Sequence, residues 1–198
     1  MQILGASIYD LSGSLLAIIS IVFIMRKSTW YWYLSILCNA LWFLLFMNEA
    51  AYIAGGLQIS YILFSIYAVI RWQLAKKQRL IPGSLEYVGG FLSLLAICIA
   101  ILNTEFIDIT NYLELVGVIL LIIANWLTAR QAVSCWYFWM MGDLIFASFL
   151  WNKQIYATFT AQVVLFIFSF RGLLEWKKST VRSAGSDAKK SKVAGDLS

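Results

Sequence analysis

Residues 31–72 read YWYLSILCNALWFLLFMNEAAYIAGGLQISYILFSIYAVIRW. Two apolar runs, 31–47 and 53–72, flank the short polar joint Asn48-Glu49. Each run is near the length, roughly 17–25 residues, that carries a helix across a bilayer. A joint this tight makes the pair a helical hairpin. Working outward, further apolar runs fall at about 10–25, 86–103, 112–129, 136–151 and 156–176. The separators are polar: Arg26-Lys27-Ser28-Thr29, a linker 73–85 with the only proline (Pro82), Asn103–Asn111, Gln131-Ala132, and Trp151-Asn152-Lys153-Gln154. The pattern predicts an all-α integral membrane protein of seven transmembrane helices.

Composition argues the same way. The 198 residues are 62% hydrophobic and 13% charged, with a mean hydropathy of +0.80, against roughly 45–50% apolar and about 25% charged in soluble domains. In water such a chain would leave large apolar patches exposed. In lipid a helix is apolar all round and satisfies its own backbone.

The net charge of +5 does not point to nucleic acid. Its basic residues are Arg26-Lys27, the cluster Arg71, Lys76, Lys77 and Arg79, Arg130, and a tail from Lys177 to Lys192. With alternating spans these fall on one side, while the N-terminus, Glu49, Thr104-Glu105-Phe106-Ile107-Asp108 and the lone cation Lys153 fall on the other. The positive-inside rule then predicts an outer N-terminus and a cytoplasmic C-terminus, which an odd number of spans requires. Asp10 interrupts the start, so the first apolar run reads as a span and not as a cleaved signal. Cys38, Cys98 and Cys135 lie in or beside apolar stretches with no C-x-x-C spacing, and they read as packing residues. No histidine is present, which removes the usual metal ligand and general base. No phosphate-binding loop or nucleophile–base pair occurs, so neither an enzyme nor a nucleotide-driven pump is indicated, and no cofactor is implied.

A shift of 104 residues lays 31–72 over 135–176. Gly13 then meets Gly117, Arg26 meets Arg130, Trp32-Tyr33 meets Trp136-Tyr137, and Asn48 meets Asn152. Tyr52 meets Tyr156, Gln58 meets Gln162, Phe64-Ser65 meets Phe168-Ser169, and Trp72 meets Trp176. Asp10 faces Glu114 and Asn39 faces Asp143. Leucine matches come free in this composition; Gly, Arg, Trp, Asn and Gln matches do not. The reading is a three-helix repeat at 9–72, a linker at 73–111 that includes span 4, a second three-helix repeat at 112–176, and a basic tail at 177–198. Three helices plus one connector make the repeats parallel, a 3+1+3 plan with its axis along the membrane normal.

Polar residues at bilayer depth are costly and mark function. Asp143 sits midway along span 6, and Asn39 occupies the same depth in span 2. Both either face a central cavity or clamp neighbouring helices. Gln58 and Gln162 lie one to two turns into spans 3 and 7, each with a serine (Ser65, Ser169) two turns on along the same face. Their amides suit an amide or aminopyrimidine edge, or an interhelical hydrogen bond. Trp136, Trp139 and Asp143 share one helical face, as do Ser35, Asn39 and Trp42. An aromatic face beside a carboxylate or amide fits a flat heteroaromatic ring by stacking or, for a cation, by cation–π attraction. Trp30, Trp32, Trp72, Trp151 and Trp176 lie at span ends and read as interfacial belt anchors. Asn125-Trp126 in span 5 is a further intramembrane polar pair that reads as packing, with contact to cargo as the alternative.

These residues carry a resemblance. Trp136-x-x-Trp139-x-x-x-Asp143, Tyr52-x5-Gln58 with Trp72, and Tyr156 with Gly172 and Trp176 resemble the PnuC family of bacterial vitamin transporters, from about Asp10 to Trp176. The resemblance implies a fold of the 3+1+3 type shared with the SWEET sugar carriers, and a place in the bacterial inner membrane. It further implies facilitated diffusion of a small vitamin that a cytoplasmic kinase phosphorylates and so traps. The sequence departs from riboside-type members at Ser65-Ile66-Tyr67-Ala68-Val69, which lacks their Asn, Gly and Trp, and at Asp143, where Asn is usual. The implied cargo is therefore nicotinamide riboside or thiamine, with a site of Asn39, Trp42, Gln58, Trp136, Trp139, Asp143 and Gln162. Two other classes remain: a proton-coupled carrier of sugars or other small solutes, and a membrane scaffold or sensor whose polar groups only pack. A homo-oligomer is left open.

Overall fold

The computed structural model describes residues 2–3, 6–76, 83–102 and 109–195. Within them a two-residue antiparallel pair, β1 (Gln2–Ile3) with β2 (Ala6–Ser7), precedes seven helices. These are α1 (Ile8–Met25), α2 (Trp30–Asn48), α3 (Tyr52–Lys76), α4 (Gly83–Leu102), α5 (Ile109–Ala129), α6 (Cys135–Asn152) and α7 (Tyr156–Gly195). Pro82 and the acidic segment 104–108 lie outside the described residues. Five helices, α1, α2, α3, α5 and α7, are long and apolar enough to cross a membrane, with mean hydropathies of 1.4 to 2.1. The 18-residue α6 is less apolar because it carries Asp143 and Asn152, but it packs between the spans α5 and α7. Beyond Trp176 the backbone of α7 stays helical to Gly195, so the basic segment extends a span. Its Lys, Ala and Ser residues include no proline to stop it.

Helix contacts run α1·α2, α2·α3, α3·α5, α5·α6, α6·α7 and α7·α1, which closes a ring of helices. Shifting each helix to its counterpart (α1 to α5, α2 to α6, α3 to α7) maps this set of contacts onto itself. α4 lies outside the ring on α3, where Gly56 lets it approach: a Cβ there would stand 3.0 Å from that of Ala100.

The turns repeat too. α1, α2, α5 and α6 each end in a left-handed residue: Lys27, Ala50, Gln131 and Gln154, with φ of 51–60°. The next N–H reaches back five residues, as in Ser28 to Phe23 (2.9 Å) and Ala132 to Leu127 (3.0 Å). This is the Schellman pattern that satisfies a helix's last carbonyls.

Two seams join the halves, α1·α7 and α3·α5, and each is fastened at both ends. At one end a buried carboxylate caps a helix N-terminus across the seam, where the first N–H groups lack partners. Asp10 accepts from the Thr158 N–H (2.7 Å), and Glu114 accepts from the Ala54 N–H (2.7 Å). At the other end an indole N–H donates to a helix's final carbonyls: Trp176 to Met25 (3.1 Å) and Trp72 to Ala129 (2.9 Å). The partner tryptophans stack edge-on, Trp32 on Trp72 at 5.5 Å and Trp136 on Trp176 at 5.4 Å.

Of the expected belt anchors, only Trp30 (64% exposed) and Trp151 (57%) face outward. Trp32, Trp72 and Trp176 are buried, because the Trp72 and Trp176 N–H groups donate across the seams and the Trp32 ring packs edge-on against Trp72. Removing one such N–H should be measurable. Trp72→Phe keeps most of the ring stacking but leaves the buried Ala129 carbonyl unpaired, and should cost about 1–3 kcal/mol. The midpoint of thermal denaturation in detergent reports the loss, and an unchanged midpoint would remove the bond's role.

Candidate functional site

Inside the ring, apolar side chains form two clusters. One contains Phe46, Phe146, Phe149 and Leu150 near the short α2–α3 and α6–α7 turns. The other contains Trp32, Trp72, Trp136 and Trp176 near the ends of α1 and α5. Between them lies a cavity walled mainly by α1, α2, α3, α6 and α7. From α2 come Tyr31, Ser35, Asn39 and Trp42, and from α6 come Trp136, Trp139, Asp143 and Phe146. Both sets follow helical spacing, so each helix turns one face inward. Gln58 and Tyr61 enter from α3, Gln162, Leu165 and Ser169 from α7, and Ala17, Ser20 and Ile21 from α1.

All seven residues expected at a site (Asn39, Trp42, Gln58, Trp136, Trp139, Asp143 and Gln162) line this one cavity. Their polar atoms fall into two groups. The first is held by the protein. Asn39 Nδ2 donates to Ser35 Oγ (2.8 Å), and Ser35 also receives Ser65 Oγ (3.2 Å). Trp139 Nε1 donates to Thr128 on α5 (2.9 Å), and the indole meets Tyr61 at 5.9 Å and 61°. Gln58 turns its Nε2 back to the Ala54 carbonyl (3.2 Å).

The second group is buried with no partner in the protein: Gln58 Oε1, Gln162 Oε1, both oxygens of Asp143, Tyr61 OH, and the indole nitrogens of Trp42 and Trp136. Buried polar atoms are nearly always paired, so seven lone ones around one space make it the candidate site for a polar partner. The two amide oxygens only accept hydrogen bonds, the two indole N–H groups only donate, the tyrosine does either, and the Asp143 oxygens accept when ionised. No Lys or Arg lines the cavity among the described residues. The set favours a partner rich in N–H and O–H groups or bearing positive charge.

The cavity is contracted to about 60 Å³, whereas a cavity of about 150 Å³ is what admits benzene. The groups converge, but the helices must separate before a ring can sit among them. Glycines permit the contraction. A Cβ on Gly13 would stand 2.7 Å from the Trp42 ring, one on Gly142 would stand 2.7 Å from Leu121, and one on Gly172 would stand 2.3 Å from Trp136.

Sequence reasoning missed Tyr31 and Tyr61 as wall residues. The signal was helical spacing: Tyr31 precedes Ser35 by four, and Tyr61 follows Gln58 by three. Asn125 is buried with its Nδ2 unpartnered, but it does not border the cavity, and neither does Trp126, which stacks under Arg130 at 4.4 Å.

A closed ring of helices, five of the described ones long and apolar enough to cross a membrane, around a cavity that polar side chains enter is the architecture of a multi-pass membrane protein. A family model described as "Nicotinamide mononucleotide transporter" matches residues 7–178, and the chain belongs to that family, PnuC. Neither the curated proteins nor the solved structures yielded a match.

Proposed function

We propose that this transporter admits a cationic, flat, hydroxyl-bearing B vitamin, nicotinamide riboside or thiamine, into the bacterial cell by facilitated diffusion. The carrying observation is Asp143: 1% exposed, both oxygens without a protein partner, in a cavity with no basic residue among those described. A carboxylate so placed favours cargo that brings positive charge, and the free glutamine oxygens accept from amide, amine or ribose hydroxyl donors. The family's name mentions a mononucleotide. A phosphate in this cavity would be stripped of water with no lysine or arginine among the lining residues to pair with it, and burying an unpaired charge is costly.

The charge distribution supports the direction. Arg26, Lys27, Arg71, Lys76, Arg130, Lys177 and Lys178 sit at one end of the ring and Glu49 and Lys153 at the other, which by the positive-inside rule supports a cytoplasmic C-terminus and an outer N-terminus. Phosphorylation of the cargo by a cytoplasmic kinase would then prevent its return, because the phosphorylated product no longer suits the site.

Calorimetry with the purified protein provides the test. Nicotinamide riboside or thiamine should bind, and nicotinamide mononucleotide should bind at least about 100-fold more weakly, the equivalent of roughly 2.7 kcal/mol. Equal affinity for riboside and mononucleotide would exclude the charge argument. Asp143 could also take up a proton, which is the ion-coupled reading. Uptake into proteoliposomes that ignores a pH gradient and ionophores supports facilitated diffusion, and uptake that follows the gradient overturns it.

A further inference from the structure

Two buried carboxylates, Asp10 (3% exposed) and Glu114 (2%), take no part in the cavity. They occupy equivalent places in the two seams, at the end of the ring where α3 and α7 begin. Their bonding differs. Asp10 Oδ1 accepts from the Thr158 N–H (2.7 Å) and the Thr158 hydroxyl (2.6 Å), and Oδ2 accepts from the Ala157 N–H (3.3 Å). The same Thr158 hydroxyl lies 3.3 Å from Ser14 Oγ. Glu114 accepts one bond, from the Ala54 N–H. The difference is written in the sequence, since Thr158 corresponds to Ala54 and Ser14 to Val118. One seam carries a hydroxyl chain under its carboxylate; the other has methyl groups there.

We infer that Glu114 and Ala54 form the outer gate of the transport cycle: the α3·α5 seam parts when the cavity opens outward, and the α1·α7 seam, held by Asp10, stays closed as the hinge. A ring with two seams opens with least loss at the one that breaks fewer bonds. The contracted cavity requires such an opening before cargo can enter. Releasing the Ala54 N–H frees the first turn of α3, the helix that also carries Gln58 and Tyr61, so gate movement and exposure of the binding groups coincide.

A native thiol reports the movement. Cys38 lines the cavity and is buried, its Sγ donating to the Gly13 carbonyl (3.2 Å). With Cys98→Ser and Cys135→Ala in place, a membrane-impermeant methanethiosulfonate is added to either face of oriented proteoliposomes, and the rate of Cys38 modification is followed. E114Q should accelerate modification from the face where α3 begins by about tenfold, the equivalent of one charge-assisted hydrogen bond. A54S gives Glu114 the second donor that Thr158 gives Asp10, and should slow both modification and vitamin uptake. D10N should lower the thermal midpoint and accelerate modification less than E114Q does. Acceleration by D10N equal to or above that by E114Q, or no change in E114Q and A54S alike, overturns the assignment. If E114Q does not fold, A54S decides alone: unchanged rates in it refute the gate. The inference rests on the carrier reading, and uptake in the same vesicles separates the two. Gate-dependent labelling without uptake of either vitamin would defeat the proposed cargo and keep the gate.

Discussion

Asp143→Ala should abolish most vitamin binding while leaving the protein as stable as before, or more so. The two effects have opposite signs because the Asp143 oxygens are buried and unpartnered. In the ligand-free protein a buried carboxyl group without hydrogen bonds is a net cost, and deleting it removes that cost at the expense of a small hole. In the proposed complex the same group would pair with a cationic ring or its donors. Truncating one member of a desolvated charge pair costs about 2–5 kcal/mol, or roughly 30-fold and upward in Kd. Asp143→Asn keeps a hydrogen-bond acceptor and loses the charge, so it should fall between wild type and alanine. Calorimetry measures the affinity and thermal denaturation the stability. A helix clamp would give the reverse pattern, a lowered midpoint with affinity retained, and that outcome would remove Asp143 from the site.

Why Asp143 could be picked from sequence, while Asp10 and Glu114 could not be understood from it, comes down to where the partners lie. A carboxylate midway along an apolar run is conspicuous from the cost of inserting it, whatever surrounds it. The shift of 104 residues paired Asp10 with Glu114, but each one accepts from a backbone N–H on a helix of the other half, and backbone groups leave no mark in a sequence; among these partners only the Thr158 hydroxyl is a side chain. The same holds for Trp72 and Trp176. A tryptophan at a span's end looks alike whether it faces headgroups or caps a neighbouring helix, and only the seam contacts decide. The inward faces of α2 and α6 were legible because Ser35, Asn39 and Trp42, like Trp136, Trp139 and Asp143, keep helical spacing around a polar residue. Tyr31 and Tyr61 share that spacing but are amphipathic aromatics among many, and they drew no notice. The contraction of the cavity could not be foreseen, since it depends on how closely helices approach. Gly13, Gly142 and Gly172 allow that approach; in sequence Gly13 marked the repeat and Gly172 the family resemblance, but nothing there says which side chain each one faces.

Gly172→Ala should therefore be among the most damaging single-methyl changes in the chain. In an ordinary helix interior, Gly→Ala gains about 0.5–1 kcal/mol by restricting the unfolded backbone. At Gly172 the new Cβ would lie 2.3–2.5 Å from three carbons of the Trp136 ring. That ring is rigid, 1% exposed, and braced edge-on against Trp176 at 5.4 Å. It can yield only by pressing on Trp176, whose N–H holds the end of α1, or by moving into the cavity it borders. Overpacking of this kind costs about 1–3 kcal/mol or more. Gly90→Ala is the matched control, because a Cβ there meets nothing within 4 Å. The two variants should separate in opposite directions from wild type in thermal midpoint, and only Gly172→Ala should weaken vitamin binding. Trp136→Leu placed in the Gly172→Ala background should recover part of the lost stability, since the two changes share one space and are not additive. Equal midpoints for Gly172→Ala and Gly90→Ala would mean that Trp136 gives way freely. A wall that soft could not hold a ring in register with Asp143, and the cavity would lose its aromatic face as a fixed element of recognition.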